Sequence, residues 1–198
     1  MPAKNIIKRF TPETFYHIYN RGVEKRIIFH DDQDRNKFLN LFDRYLNENN
    51  DEVDQNNIRY PKFGNQIQIH SYALMDNHFH LLIKTGTSAY YISEFMKSIC
   101  GSYTQYFNKR YERIGPLYQG KYKALPVLDE QHLLTECKYI NLNPKNDIQK
   151  YFSSLYIYLG LRPAQNWMTT EDIFNLVPLE EFAGLLYPQK DLDTQAIA

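Results

Sequence analysis

The sequence predicts an α+β protein of the ferredoxin-like, split βαβ kind, a central antiparallel sheet with helices on one face, followed by a C-terminal helical extension. Three observations lead there. Between Thr14 and Asn143, stretches of alternating and of helical apolar spacing follow one another as β-α-β-β-α-β-α, and the first six match that arrangement. The two central runs lie either side of a polar Met75-Asp76-Asn77 break and read as paired strands. A chain of 198 residues that is 43% apolar and 15% aromatic can fill one core and still carry a terminal extension. The division expected is 1–146 for the main domain and 147–198 for an extension packed on or flanking it.

Thr14–Asn20 alternates well enough to be a strand, and Arg21-Gly22 ends it with a turn signal. His17 falls on the face of Phe15 and Tyr19, where a histidine reads as core or sheet surface before it reads as a ligand. Phe38, Leu39, Phe42, Tyr45 and Leu46 are spaced by three and four behind Asp31-Asp32, which predicts a helix over Asp32–Asn47. Glu48–Gly64, rich in Asn and Asp, reads as a mobile loop. After the strand pair, Ile92, Phe95, Met96, Ile99, Tyr103, Tyr106 and Phe107 set a helix over Ser88–Lys109 despite Gly101. Ile114-Gly115-Pro116 breaks it. Leu117–Val127 looks like a fourth strand weakened by Gly120 and Pro126, and Asp129–Asn143 is a helix stopped by Pro144. Further on, Ser153–Leu159 suggests an aromatic surface segment, Thr170-Glu171-Asp172 opens a short amphipathic helix leading to Leu179–Leu186, and the tail from Asp191 is polar and frayed.

Composition narrows the classes. No run of eighteen apolar residues and no apolar signal core in the first residues are present, so neither a membrane span nor secretion is indicated and a cytoplasmic protein is expected. Cys100 and Cys137 sit in helical segments without CxxC spacing and read as reduced packing residues. The formal net charge is zero, 23 Lys+Arg against 23 Asp+Glu, which argues against an indiscriminate polyanion binder. Locally the picture differs. Lys97, Lys109, Arg110, Arg113, Lys121 and Lys123 stand against the single acid Glu112, interleaved with Tyr103, Tyr106, Phe107, Tyr111, Tyr118 and Tyr122. Cations for phosphates and flat rings for unpaired bases suit single-stranded nucleic acid; a solvated basic face over an aromatic core would read the same way.

His78 and His80, two apart on the second central strand, point to one face with Phe79 turned into the core. Two imidazoles side by side are metal-capable without making a site, and half-exposed sheet surface is the plainer reading of the triplet taken by itself.

Four segments add to this: HIYNRG (His17–Gly22), LMDNHFHLL (Leu74–Leu82), LYQGKYK (Leu117–Lys123) and YINLNP (Tyr139–Pro144). In order and spacing they resemble the single-tyrosine HUH transposases, in the branch of REP-associated tyrosine transposases, over most of Thr14–Lys145. The resemblance implies a nuclease fold in which His78 and His80 bind Mg²⁺ or Mn²⁺, Tyr139 attacks DNA, and Asn143, four residues on and so on the same helix face, completes the metal site. It implies cleavage and rejoining of single-stranded DNA at hairpin-containing palindromic repeats through a 5′-phosphotyrosine, by a monomer or homodimer. Lys97, Lys109, Arg110, Arg113, Tyr118, Lys121 and Lys123 are then the DNA-binding candidates. Tyr118 stands where the family often has tryptophan. Asp76 stands where it commonly has proline, as a further ligand or an outer-shell partner, and the Glu48–Gly64 connection is longer than usual. Tyr103, Tyr106 and Tyr111 are rival nucleophiles. A non-catalytic single-strand-binding module, a water-using metal hydrolase, and a relaxase or replication initiator are the competing readings. The hydrolase lacks an HExxH or HxHxD motif here, and no P-loop is present.

Overall fold

The computed structural model describes residues 10–88 and 90–186. Strands β1 (Phe15–Arg21), β2 (Ile67–Met75), β3 (His78–Thr85) and β4 (Lys123–Pro126) form one sheet in the order β2-β3-β1-β4, with every neighbouring pair antiparallel. Strands β1 and β2 therefore run the same way with β3 inserted between them, the split βαβ arrangement that the element order predicts.

Helices α1 (Asp32–Leu46) and α2 (Tyr91–Arg110) lie on one face. Asp31 caps α1 by accepting the Asp34 N–H, so the helix starts where its acids favour the dipole. The aromatic stripes of both helices meet the sheet in the core, where Phe38 packs on Phe79 at 5.1 Å and on Tyr103 at 5.1 Å between ring centroids. Helix α3 (Glu130–Leu142), the seventh element, is capped by Asp129 and lies on the opposite face against β2 and β3. Its anchor is the fully buried Asn141, whose amide donates to Ser71 Oγ and to the Cys137 carbonyl, each at 2.9 Å, and accepts the Ser154 hydroxyl at 2.8 Å. A buried amide satisfied on both ends fixes how α3 is rotated.

The short helices α4 (Asp147–Tyr151), α5 (Leu155–Tyr158), α6 (Glu171–Phe174) and α7 (Leu179–Leu186) follow. Residues 152–154 and 168–169 supply backbone partners along the outer edge of β2, with Leu74 N–H donating to the Phe152 carbonyl and Thr169 N–H to the Ile69 carbonyl. A bare sheet edge invites pairing, and here the extension provides it. The 153–159 segment is accordingly no surface strip: Leu155, Ile157 and Tyr158 are buried and the Tyr158 hydroxyl donates to the His70 carbonyl. Two other expectations change. The fourth strand is confined to Lys123–Pro126, because Gly120 takes φ +156° and residues 117–119 make only irregular bonds to residues 21–23. The 48–64 connection is anchored, with Arg44 paired to Glu52, Lys62 donating to the Arg44 carbonyl and Phe63 buried beside Tyr45. The Asp191 tail lies outside the described residues.

Candidate active site

The β2–β3 hairpin turns in two residues, Asp76 and Asn77, between the paired Met75 and His78. Three backbone bonds clamp that turn: Ile28 and Phe29 N–H donate to the Asp76 carbonyl, and Gly22 N–H to the Asn77 carbonyl. Gly22 is required there, since a Cβ would overlap the Arg26 carbonyl oxygen. The Asp76 side chain goes to Arg35, 2.6 Å away, a guanidinium whose side chain is 4% exposed. Where the sequence left its role open, the structure pairs this carboxylate with a buried cation.

A held turn fixes His78 and His80 on the α3 face of β3, ring centroids 5.0 Å apart, while Phe79 is fully buried on the other. Cross-strand register sets Tyr19 opposite His80 and Arg21 opposite His78. The Asn77 amide nitrogen donates to the Lys25 carbonyl, so its oxygen, 2.6 Å from His78 Nδ1, accepts that N–H and leaves Nε2 with its lone pair. His80 Nδ1 lies 2.7 Å from His17 Nε2, and His17 Nδ1 lies 2.8 Å from Glu136 Oε2 in a bent contact. Burial, reinforced by the neighbouring His17, His78 and Arg21, pushes His80 down to about 2; burial and Arg21, against Asp76, push His78 down to about 4. Both imidazoles are neutral at pH 7, the form that ligates metal.

Helix α3 brings Tyr139 over this pair. Its ring centroid is 5.8 Å from His80 and 5.7 Å from His17, and the residue is 50% exposed. The other tyrosines considered are elsewhere. Tyr103 is fully buried with its hydroxyl on the Ile28 carbonyl, and the Tyr106 and Tyr111 hydroxyls both donate to Asp34, on the far face of the sheet. Asn143, the residue after α3, borders the same cleft as His78, His80 and Tyr139. Among the described residues, no three His, Cys, Asp or Glu side chains are placed to share a metal ion, so a third protein donor would have to be an amide such as Asn143. Two neutral imidazoles and an amide bordering the same cleft fit a divalent cation that keeps part of its water, with Mn²⁺ better matched than Mg²⁺ to nitrogen donors.

The cleft has a volume of about 1750 Å³ and is bordered by Arg21, Lys121, Lys123, Lys138 and Lys145. Its two acids, Asp76 and Glu136, are both engaged with partners. Of the basic residues singled out in the sequence, Lys121 and Lys123 are therefore at the site, and Lys123 also sits over the Tyr19 ring at 5.7 Å. Lys97, Lys109, Arg110 and Arg113 belong to α2 and the turn after it, and do not border the cleft. Arg110 is bound to Asp31 and Asp34, and Arg113 donates to Asn108. Tyr118 is 8% exposed and packs edge-on against Phe79, so it presents no stacking face. Sequence reading passed over Arg21, Lys138, Lys145 and Glu136. The available signal was spacing: Glu136, Tyr139 and Asn143 are three and four apart, one face of one helix.

Residues 56–143 match the family model described as Transposase IS200 like. That segment holds both strand histidines, Tyr139 and Asn143. The fold is similar to the structure of a REP-associated tyrosine transposase bound to a REP hairpin, with a TM-score of 0.53 at 10% identity over 84% of this chain and 94% of that one. A second solved structure, described as a candidate transposase from Deinococcus radiodurans, aligns at a TM-score of 0.41 and 14% identity over 71% of this chain and 95% of that one. No curated relative matches the sequence. None of the helices among the described residues is long and apolar enough to cross a membrane.

Proposed function

We propose, from the match of residues 56–143 to the IS200-like transposase model, that this chain is a metal-dependent single-stranded DNA transesterase acting at hairpin-containing sites. The observation that carries the reading is the half-exposed Tyr139 ring set beside His80 in a cation-bordered cleft. His78, His80 and Asn143 would hold Mg²⁺ or Mn²⁺, which when bound polarises a phosphoryl oxygen and offsets charge in the transition state. The chain's own residues do the rest. Lysines on both sides of the cleft, Lys121 and Lys123 from one and Lys138 and Lys145 from the other, hold the backbone of a single strand across Tyr139. The Tyr139 oxygen attacks the phosphorus and gives its proton to solvent. The P–O3′ bond breaks, the departing 3′ oxygen takes a proton, and the 5′ phosphate stays on the tyrosine. A second 3′-OH reverses the step, so the bond energy is kept without ATP. The hairpin as substrate is carried over from the similar structure, which is bound to one.

The test is incubation with a hairpin-containing single strand and Mn²⁺, followed by denaturing electrophoresis. Wild type should give a covalent protein–DNA band, and His78→Ala and His80→Ala should not, while melting like folded proteins. No band from wild type, or near-normal bands from both variants, would sink the reading.

A further inference from the structure

Three side chains from three elements stand in line, Glu136 on α3, His17 on β1 and His80 on β3, with contacts of 2.8 and 2.7 Å. His17 is 4% exposed and His80 6%, so the contact between the two imidazoles is shielded from water. We propose that Glu136 and His17 are positioning residues that hold His80 in the Nδ1–H tautomer, keeping its Nε2 lone pair free for a divalent cation; this rests on the metal-site part of the reading above.

The inference follows from counting protons. A carboxylate accepts and cannot donate, so the His17 nitrogen facing Glu136 carries hydrogen. In the arrangement proposed, His17 carries its one proton toward Glu136 and presents a lone pair to His80, so the single proton in the 2.7 Å contact belongs to His80 Nδ1. Neutral imidazole has one N–H, which leaves His80 Nε2 bare. Metal-bound histidines usually give their second N–H to a carboxylate or carbonyl; here a relay through a second imidazole does it, with the carboxylate one step further back. His132, four residues before Glu136 on the same helix, lies 3.3 Å from the other carboxylate oxygen and steadies it. His78 reaches the same protonation state by a separate route through Asn77. The two ligands are thus set independently, and removing His17 or Glu136 acts on His80.

The test uses the full chain and no DNA. Long-range ¹H–¹⁵N correlation of the metal-free wild type at pH 7 should show His80 protonated on Nδ1. Mn²⁺ binding followed by electron paramagnetic resonance should weaken about 10- to 100-fold in His17→Phe. It should weaken less in Glu136→Gln, which keeps an acceptor oxygen, than in Glu136→Ala. A wild-type His80 protonated on Nε2 overturns the proposal whatever the variants do, so it stays testable if His17→Phe does not fold. Unchanged Mn²⁺ affinity in a folded His17→Phe or Glu136→Ala overturns it as well. A wild type that binds Mn²⁺ with the Nδ1–H pattern but yields no DNA adduct supports this inference and removes the transesterase reading.

Discussion

Tyr139 meets His80 edge to face, ring centroids 5.8 Å apart and planes at 87°, across the junction between α3 and β3. The contact joins residues 59 positions apart in the sequence, and its geometry depends on the rotation of α3 that the buried Asn141 fixes from two residues away. Tyr139→Phe removes one oxygen and keeps this packing. The variant should melt within about 1 kcal/mol of wild type, as expected for a half-exposed site, and bind single-stranded DNA, yet form no covalent adduct. Mass spectrometry of a wild-type adduct that placed the DNA on Tyr103, Tyr106 or Tyr111 would contradict the assignment.

Much of this was legible because periodicity reports faces. Alternation put His78 and His80 on one side of β3 and Phe79 on the other, and the three-and-four spacing put Tyr139 and Asn143 together. What could not be read was which elements meet. The basic stretch Lys97–Lys123 is continuous in sequence but is split by the fold, its first part on the α2 side and Lys121 and Lys123 at the cleft. Tyr118 looked like a stacking ring because its burial against Phe79 is a long-range fact. His17 read as a sheet histidine, and it is one; its partner Glu136 comes from α3, more than a hundred residues further along the chain.

Redistribution of charge makes a binding prediction. Replacing Lys121 and Lys138 by Gln should lower the salt dependence of single-strand binding, by about 0.7 in the log–log slope for each phosphate no longer neutralised. Replacing Lys97 and Lys109, exposed on the far helix, should leave the slope unchanged. The two double variants, titrated from low to moderate salt, decide between the cleft and the α2 face; equal slopes would remove the cleft as the DNA path.

Acid should unfold the metal-free protein early. His70 and His78 are pushed down to about 4 and His80 to about 2, in each case chiefly by burial. In the unfolded chain they protonate near pH 6.5. Below that pH the unfolded state binds protons that the folded state refuses, so stability is level above about pH 6.5 and falls as pH drops toward 4. For His70 and His80, 0% and 6% exposed, the loss is about 1.4 kcal/mol per pH unit each. Urea midpoints at pH 7, 6 and 5 should decline, and more shallowly in His70→Leu. A flat profile between pH 7 and 5 would contradict the neutral burial of these rings.

Asn143 is the sharpest case, because two demands meet on one helix end. As the residue after α3, followed by Pro144, it could simply terminate the helix, and Asn141 two residues earlier shows what a purely structural asparagine looks like here: fully buried, with three side-chain and carbonyl partners. Asn143 instead is half-buried, with its backbone N–H on the Ile140 carbonyl, and borders the cleft that His78 and His80 also line. Asn141→Ala should therefore lower the melting temperature and, by loosening α3, reduce adduct formation at every metal concentration. Asn143→Ala should leave melting within about 1 kcal/mol of wild type and slow adduct formation in a way that raising Mn²⁺ partly restores, since the nucleophile remains and one metal donor is gone. Adduct kinetics across a Mn²⁺ series separate the two. An Asn143→Ala protein with normal kinetics at low Mn²⁺ would return this residue to helix termination and leave His78 and His80 as the protein's ligands.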